Sequence, residues 1–147
     1  FSETGNALYA DWSPDGTMIT FIADVDAIGR RGIDRIQQLS TLCLLDTTKL
    51  QTSCPLDGLD SPFRPRWSPG GEYIAFSGQY AALRHQGLWI FDVRTNKLHL
   101  VAEGRFQDHI WTPDGTALVG VRLANPEDLD SGQVWTYTLP QWLVREH

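Results

Sequence analysis

The chain has 147 residues, 41% hydrophobic and 20% charged, which is ordinary for one globular domain and too short for two large cores. Eighteen acidic residues against 12 basic ones leave a net charge of −6. That balance disfavours a nucleic-acid partner, because phosphate-backbone binding draws on a basic patch and only Arg30, Arg31 and Arg35 cluster here. No apolar run approaches the roughly 18–20 residues that span a bilayer, and no basic-then-apolar leader opens the chain. Since the first residue is Phe1 and not Met, the chain is expected to be processed or taken from a longer protein. Any membrane anchor would lie outside it.

In chain order, the first predicted strand ends at Trp12 and runs into "WSPDG" (12–16), followed by the apolar run Met18, Ile19, Phe21, Ile22. Ser-Pro-Asp-Gly suits a tight turn, with Pro presetting φ at its second position and Gly accepting a positive φ at the exit. A long polar segment follows (24–39), then the strand "STLCLLD" (40–46), a turn over "TTKLQ" and a fourth strand. The pattern returns with "WSPGG" (67–71), the run Tyr73, Ile74, Ala75, Phe76, a loop over 78–86, the strand "GLWIFD" (87–92) and the turn "VRTNK". It returns again with "WTPDG" (111–115), a loop over 123–131 and the strand "GQVWTYT" (132–138). Seven residues after each Trp stands Ile19, Ile74 or Leu118, and nine after stand Phe21, Phe76 or, departing from the pattern, Gly120.

Self-similarity of this kind marks a repeat architecture. Strands apolar on both sides must be covered on both faces, and stacked four-stranded sheets that cover one another are the blades of a β-propeller. The predicted fold is therefore all-β: three four-stranded antiparallel blades, at about 7–58, 59–104 and 105–147, forming a single partial propeller domain. The structural residues of the repeat are Trp12, Pro14 and Gly16; Trp67, Pro69 and Gly71; and Trp111, Pro113 and Gly115. Each Trp is expected to plug into the neighbouring layer.

The stretches "DWSPDGTMITFIAD", "RWSPGGEYIAFSG" and "GLWIFDVRTNK" resemble the β-propeller repeat of TolB-like proteins, which also occurs in the propeller domains of prolyl-oligopeptidase-type peptidases. The resemblance covers nearly the whole chain and is specific for the repeat, not for a function. It implies a six-bladed ring and an exported, extracytoplasmic setting: periplasmic, secreted or at the cell surface. Propellers close with four to eight blades, so three leave two open ends. Either further blades of the same propeller complete the ring, or two copies of the chain associate as a homodimer, three blades plus three.

The turn phrases are short and the extra residues sit in the loops at the other end of the blades, where binding residues tend to be placed. These loops carry Arg30, Arg31, Asp34 and Arg35; Tyr80, Arg84 and His85; and Glu127, Asp128 and Asp130. They read either as solvated surface charge or as a face for a protein partner. Segments leading into the innermost strands bring Arg64, Arg66, Asp108 and His109 to the channel rim, where they would face a ligand or pair with one another. No HExxH, calcium loop, nucleophile elbow or phosphate loop is present, so no catalytic residue, metal or cofactor is expected. Cys43 and Cys54 align with Trp89 and Leu100 of the second copy, facing positions of a hairpin and within disulfide reach. Two buried thiols are the alternative. A cross-link is expected, and it agrees with an extracytoplasmic setting.

The function expected is a non-enzymatic protein-binding or scaffolding module. The competing readings are the gating propeller of a serine peptidase whose catalytic domain lies elsewhere, and a carbohydrate-binding propeller.

Overall fold

The computed structural model describes residues 7–24, 40–80, 85–140 and Leu143. Ten antiparallel strands account for most of them: β1 (Ala7–Trp12), β2 (Met18–Asp24), β3 (Ser40–Asp46), β4 (Gln51–Trp67), β5 (Tyr73–Tyr80), β6 (His85–Asp92), β7 (Lys97–Glu103), β8 (Phe106–Trp111), β9 (Ala117–Leu123) and β10 (Gly132–Thr138). Strands that follow one another in sequence pair with one another, which gives a seven-stranded sheet, β1 to β7, and a three-stranded sheet, β8 to β10.

The seven-stranded sheet contains two blades fused through β4. This 17-residue strand pairs with β3 along its first half (Asp46↔Gln51 to Ser40↔Leu59) and with β5 along its second (Leu59↔Tyr80 to Trp67↔Ile74). It is at once the outermost strand of the first blade and the innermost strand of the second. The hand-over falls at Leu59, which is fully buried and sits opposite both Ser40 and Tyr80. Pro55, Pro62 and Pro65 lie in this strand. Proline donates no hydrogen bond to a ladder and is tolerated where pairing is irregular, and β4 shows register shifts on both sides of the hand-over. In the third blade, the outermost strand expected near the C-terminus falls mostly outside the described residues. Leu143 N–H donates to the Pro140 carbonyl at 3.0 Å, a turn contact and not a ladder contact.

The repeated phrase builds the same turn each time. Gly16, Gly71 and Gly115 have φ of 75°, 77° and 72°, the region that costs glycine nothing. Their N–H groups donate to the carbonyls of Ser13, Ser68 and Thr112 at 3.0, 2.9 and 2.9 Å. In the first and third copies the turn's Asp accepts a bond from the hydroxyl that opens it, Ser13 to Asp15 and Thr112 to Asp114, both at 2.7 Å. Bonds from the Thr116 N–H, and from the Thr112 and Thr116 hydroxyls, hold the Asp114 carboxyl down at about 2. The hairpin turns after β3 and β6 use the same chemistry: Asp46 Oδ1 accepts the N–H groups of Thr48 and Lys49, and Asp92 Oδ1 those of Arg94 and Thr95.

Two apolar layers lie between the blades. Between the first and second, Ile22, Leu42, Leu44 and Leu56 meet Trp67, Ile74, Phe76 and Trp89. Between the second and third, Tyr73, Ala75, Leu88 and Ile90 meet Phe106, Trp111 and Leu118, with Leu139 and Leu143 closing the edge. Alternate residues of β5 serve the two layers (Ile74 and Phe76 against Tyr73 and Ala75), which is why that strand reads as apolar throughout. Cys43 and Cys54 are bonded to each other. Their counterparts Trp89 and Leu100 do face each other across β6 and β7.

Candidate functional site

The innermost strands β1, the second half of β4, and β8 lie side by side, with β1 against β4 and β4 against β8. Each carries an irregularity just before its Trp. The register shifts between Leu8 and Asp11, between Phe63 and Arg66, and between Phe106 and Asp108. Tyr9 and Arg64 take positive φ of 57° and 47° there, an uncommon conformation for residues with a Cβ. Tyr9, Arg64 and Asp108 each stand three positions before the Trp of their blade, so the three blades bring them to one level of the channel.

At that level the predicted rim residues pair with one another. Arg64 Nη1 donates to Asp108 Oδ2 at 3.1 Å, and Arg66 Nη2 lies 3.7 Å from Asp108 Oδ1. One carboxylate thus faces two guanidinium groups, leaving the cluster with a surplus positive charge. All three side chains are about 40% exposed, so these pairs contribute little to stability. The Arg64 guanidinium also lies 5.1 Å from the Phe63 ring centroid, and Phe63 meets Tyr9 edge to face at 5.2 Å.

His109, grouped with the rim by sequence position, is fully buried below it. Its Nε2 stands 2.7 Å from the Arg64 carbonyl, which fixes the proton on that nitrogen. Burial holds the imidazole below its ordinary 6.5, against opposing pulls from the Arg64 carbonyl and the Asp108 charge. The unfolded chain therefore takes up a proton near pH 6.5 while the folded chain does so only at lower pH. The stability gained from a neutral His109 is fully present above pH 6.5 and is lost as pH falls towards the folded value. His109→Gln is expected to flatten this fall in urea midpoints measured from about pH 7.5 to 5. Parallel profiles for the two proteins would contradict the assignment.

At the loop end of the blades, opposite the turn phrases, a groove of about 690 Å³ opens between the second and third blades. Ser77 and Gly78 from β5, Gln86 from β6, Phe63 from β4, and Arg105, Phe106 and Gln107 at the start of β8 line it, with Pro126, Glu127 and Leu129 along one edge. That edge is anchored by its own blade: Arg105 Nη1 donates to the Pro126 carbonyl and Gln107 Nε2 to the Leu129 carbonyl, both at 2.8 Å. The loop is further closed by Ser131, whose hydroxyl donates to the Asp128 carbonyl at 2.6 Å and accepts the Asn125 N–H at 3.0 Å, and by Asp128 Oδ1, which accepts the Asp130 N–H. Ser77 Oγ is buried at the groove and has no hydrogen-bond partner among the described residues.

The predicted loop-face residues are thus only partly brought together. Glu127 lines the groove, while Asp128 shapes the loop beside it, with Asp130 close by. Tyr80 packs edge to face on Trp89 at 6.2 Å, and His85 pairs with Glu103 at 3.1 Å. Arg30, Arg31, Asp34, Arg35 and Arg84 lie outside the described residues. Sequence reasoning missed Ser77, Arg105 and Gln107. Among the described residues no group of three His, Cys, Asp or Glu side chains is placed to hold a metal, and no helix is long and apolar enough to cross a membrane.

No protein-family model and no curated protein sequence matches the chain. Solved structures do. TolB from Acinetobacter baumannii superposes with a TM-score of 0.66 at 18% identity, over 96% of this chain and 32% of that one. The β-propeller domain of the Trilobed protease from Pyrococcus furiosus gives 0.69 at 15% identity, over 94% and 41%. The fold is that of a β-propeller. An oligogalacturonate lyase from Vibrio parahaemolyticus aligns as well, with a TM-score of 0.66 at 10% identity over 97% and 38%. The propeller described here spans between a third and about two fifths of the length of these proteins, so it is a partial ring that leaves room for other blades or partners. TolB and peptidase propellers stand among its structural neighbours, in keeping with the repeat resemblance.

Proposed function

We propose that this partial propeller is a non-enzymatic protein-binding or scaffolding module that works outside the cytoplasm and presents its loop end to a protein partner. The observation that carries the reading is the groove between the second and third blades. It is concave, is lined by aromatic (Phe63, Phe106) and polar or charged side chains (Gln86, Arg105, Glu127), and has beside it a buried hydroxyl, Ser77 Oγ, without a hydrogen-bond partner among the described residues. An extended peptide segment suits such a groove, its side chains against the aromatic rings and its backbone amides on the glutamines. The Cys43–Cys54 bond supports an oxidising compartment. Both the non-enzymatic role and the compartment belong to this reading.

Panning a displayed peptide library against the oxidised chain tests it. Selected peptides are expected to lose binding at least tenfold with Arg105→Glu or Glu127→Lys, and to keep it with Thr95→Lys at the opposite end of the second blade. Peptides that bind all three variants equally, or a library that yields no binder, would count against the loop end as the recognition face.

A further inference from the structure

The charged cluster at the channel rim is built entirely by two neighbouring strands, the second half of β4 and β8. Its two arginines are held from behind. His109 Nε2 donates to the Arg64 carbonyl at 2.7 Å, and Trp111 Nε1 donates to the Arg66 carbonyl at 3.0 Å. His109 and Trp111 alternate along β8 as Arg64 and Arg66 do along β4, so a buried ring of the next strand clamps the backbone of each arginine. Arg64 takes a positive φ of 47°, a conformation that persists where its surroundings impose it and that gathers at ligand sites. Its guanidinium rests on the Phe63 ring, which Tyr9 steadies from the first blade.

The charges of this cluster do not balance. Asp108 supplies its carboxylate, and the bond from Arg64 at 3.1 Å uses it well. Arg66 Nη2 stands 3.7 Å from Asp108 Oδ1, beyond hydrogen-bond range. Arg66 Nε is buried and has no hydrogen-bond partner among the described residues. One edge of this guanidinium has thus lost its water without gaining an acceptor, while the side chain as a whole stays open to solvent. A cation in that state attracts an anion more strongly than a fully hydrated one does.

We infer that the rim binds a carboxylate, seated on Arg66 and Arg64 beside Asp108. The class follows from the charge and from the partner already there. Two guanidinium groups against one carboxylate leave one positive charge, which a single further carboxylate neutralises. Asp108 shows that a carboxylate fits against both arginines, and the guanidinium fork matches the planar carboxylate in geometry. The chain's net charge of −6 gives the rim no general pull on anions, so the attraction is local to these two side chains. A small organic acid and the free C-terminus of a peptide present the same group, and the experiment separates them. The site shares Phe63 with the loop-end groove but none of that groove's polar side chains, so it stands or falls apart from the proposed function.

Nuclear magnetic resonance tests it by titrating the oxidised chain with sodium acetate near neutral pH, against sodium chloride at equal ionic strength. The backbone amides of Arg64 and Arg66 and the Nε–H of Arg66 are expected to shift saturably with acetate and not with chloride. Arg64→Gln and Arg66→Gln should each weaken acetate binding about tenfold. Lys49→Gln, which removes a positive charge at the turn end, should leave the affinity unchanged. Asp108→Asn frees both guanidinium groups and should tighten acetate binding about threefold, a gain that no loss of fold can mimic. N-acetylated tetra-alanine that binds more tightly than acetate, and loses binding when its C-terminus is amidated, assigns the carboxylate to a peptide end. Tetra-alanine no tighter than acetate assigns it to a small acid. A shift that chloride reproduces, a shift that does not saturate, or variants of Arg64, Arg66 and Asp108 that all bind acetate as the wild type does would each overturn the site.

Discussion

Replacing Trp67 by alanine is expected to cost about 3–5 kcal/mol in unfolding free energy, the range for removing a large buried aromatic side chain. Trp67 is 7% exposed in the layer between the first two blades. It is also bonded twice to Asp11, through its N–H to Oδ2 at 2.9 Å and through Nε1 to the carbonyl at 3.2 Å. The alanine variant keeps the backbone bond but loses the indole bond and leaves a cavity among Leu44, Ile74 and Phe91, which share that layer. Phenylalanine at this position should recover most of the packing and lose the indole bond, a smaller cost of about 1 kcal/mol on that account. Urea unfolding followed by circular dichroism gives both values. A loss below about 1 kcal/mol for the alanine variant would mean that the blades do not depend on this Trp for their contact.

Reduction of the Cys43–Cys54 bond is expected to remove about 3 kcal/mol, the loop-closure entropy for a cross-link spanning 11 residues. The bond ties β3 to the first half of β4 at a place where the ladder is irregular, between the pairs Leu42↔Leu56 and Leu44↔Ser53. A covalent tie there holds register that hydrogen bonds alone specify weakly. The unfolding midpoint of the wild-type chain should fall on adding reductant, while that of a Cys43→Ala, Cys54→Ala variant should be low from the start and unmoved. Equal midpoints for the oxidised wild type and the double variant would show that the bond adds no stability.

Much of the fold was legible in the sequence because its repeated phrase does a local job. Tight turns at 12–16, 67–71 and 111–115 need only Pro, Gly and a short polar side chain, and those residues are written at fixed offsets from each Trp. The Cys43–Cys54 pairing was legible for the same reason, through the alignment with Trp89 and Leu100. The fusion of two blades through β4 was not. The segment "PLDGLDSPFRP" (55–65) reads as a break between repeats, with three prolines and a glycine, yet the buried contacts of Leu59 and Trp67 keep it extended.

The candidate site was legible in part. Arg64, Arg66 and Asp108 could be named because charge beside an innermost strand is conspicuous, but their convergence follows from the irregularities of two neighbouring strands, β4 and β8, which leave no mark in composition. His109 carries the same kind of side chain as a rim residue; only the turn of the strand places it inward. Ser77 gave no signal, since a serine in a strand is ordinary until its surroundings are known. Arg105 and Gln107 likewise gained meaning only when the loop at 124–131 folded back onto them.

The single strand shared by the first two blades has a consequence for motion. A ring whose blades are joined only by side-chain contacts can breathe at every boundary, but β1 to β7 belong to one sheet held together by backbone pairing. Bending between the first and second blades would break that pairing at Leu59, whereas the third blade meets them through side chains and the short link at Gly104 and Arg105. The Leu59 amide, where β4 meets both β3 and β5, should therefore exchange with solvent only when both blades open together, while those of β8 to β10 can exchange through a smaller and independent opening. The groove at the loop end lies on that softer seam, so a peptide seated there would act as a wedge or a clasp between one rigid pair and one movable blade.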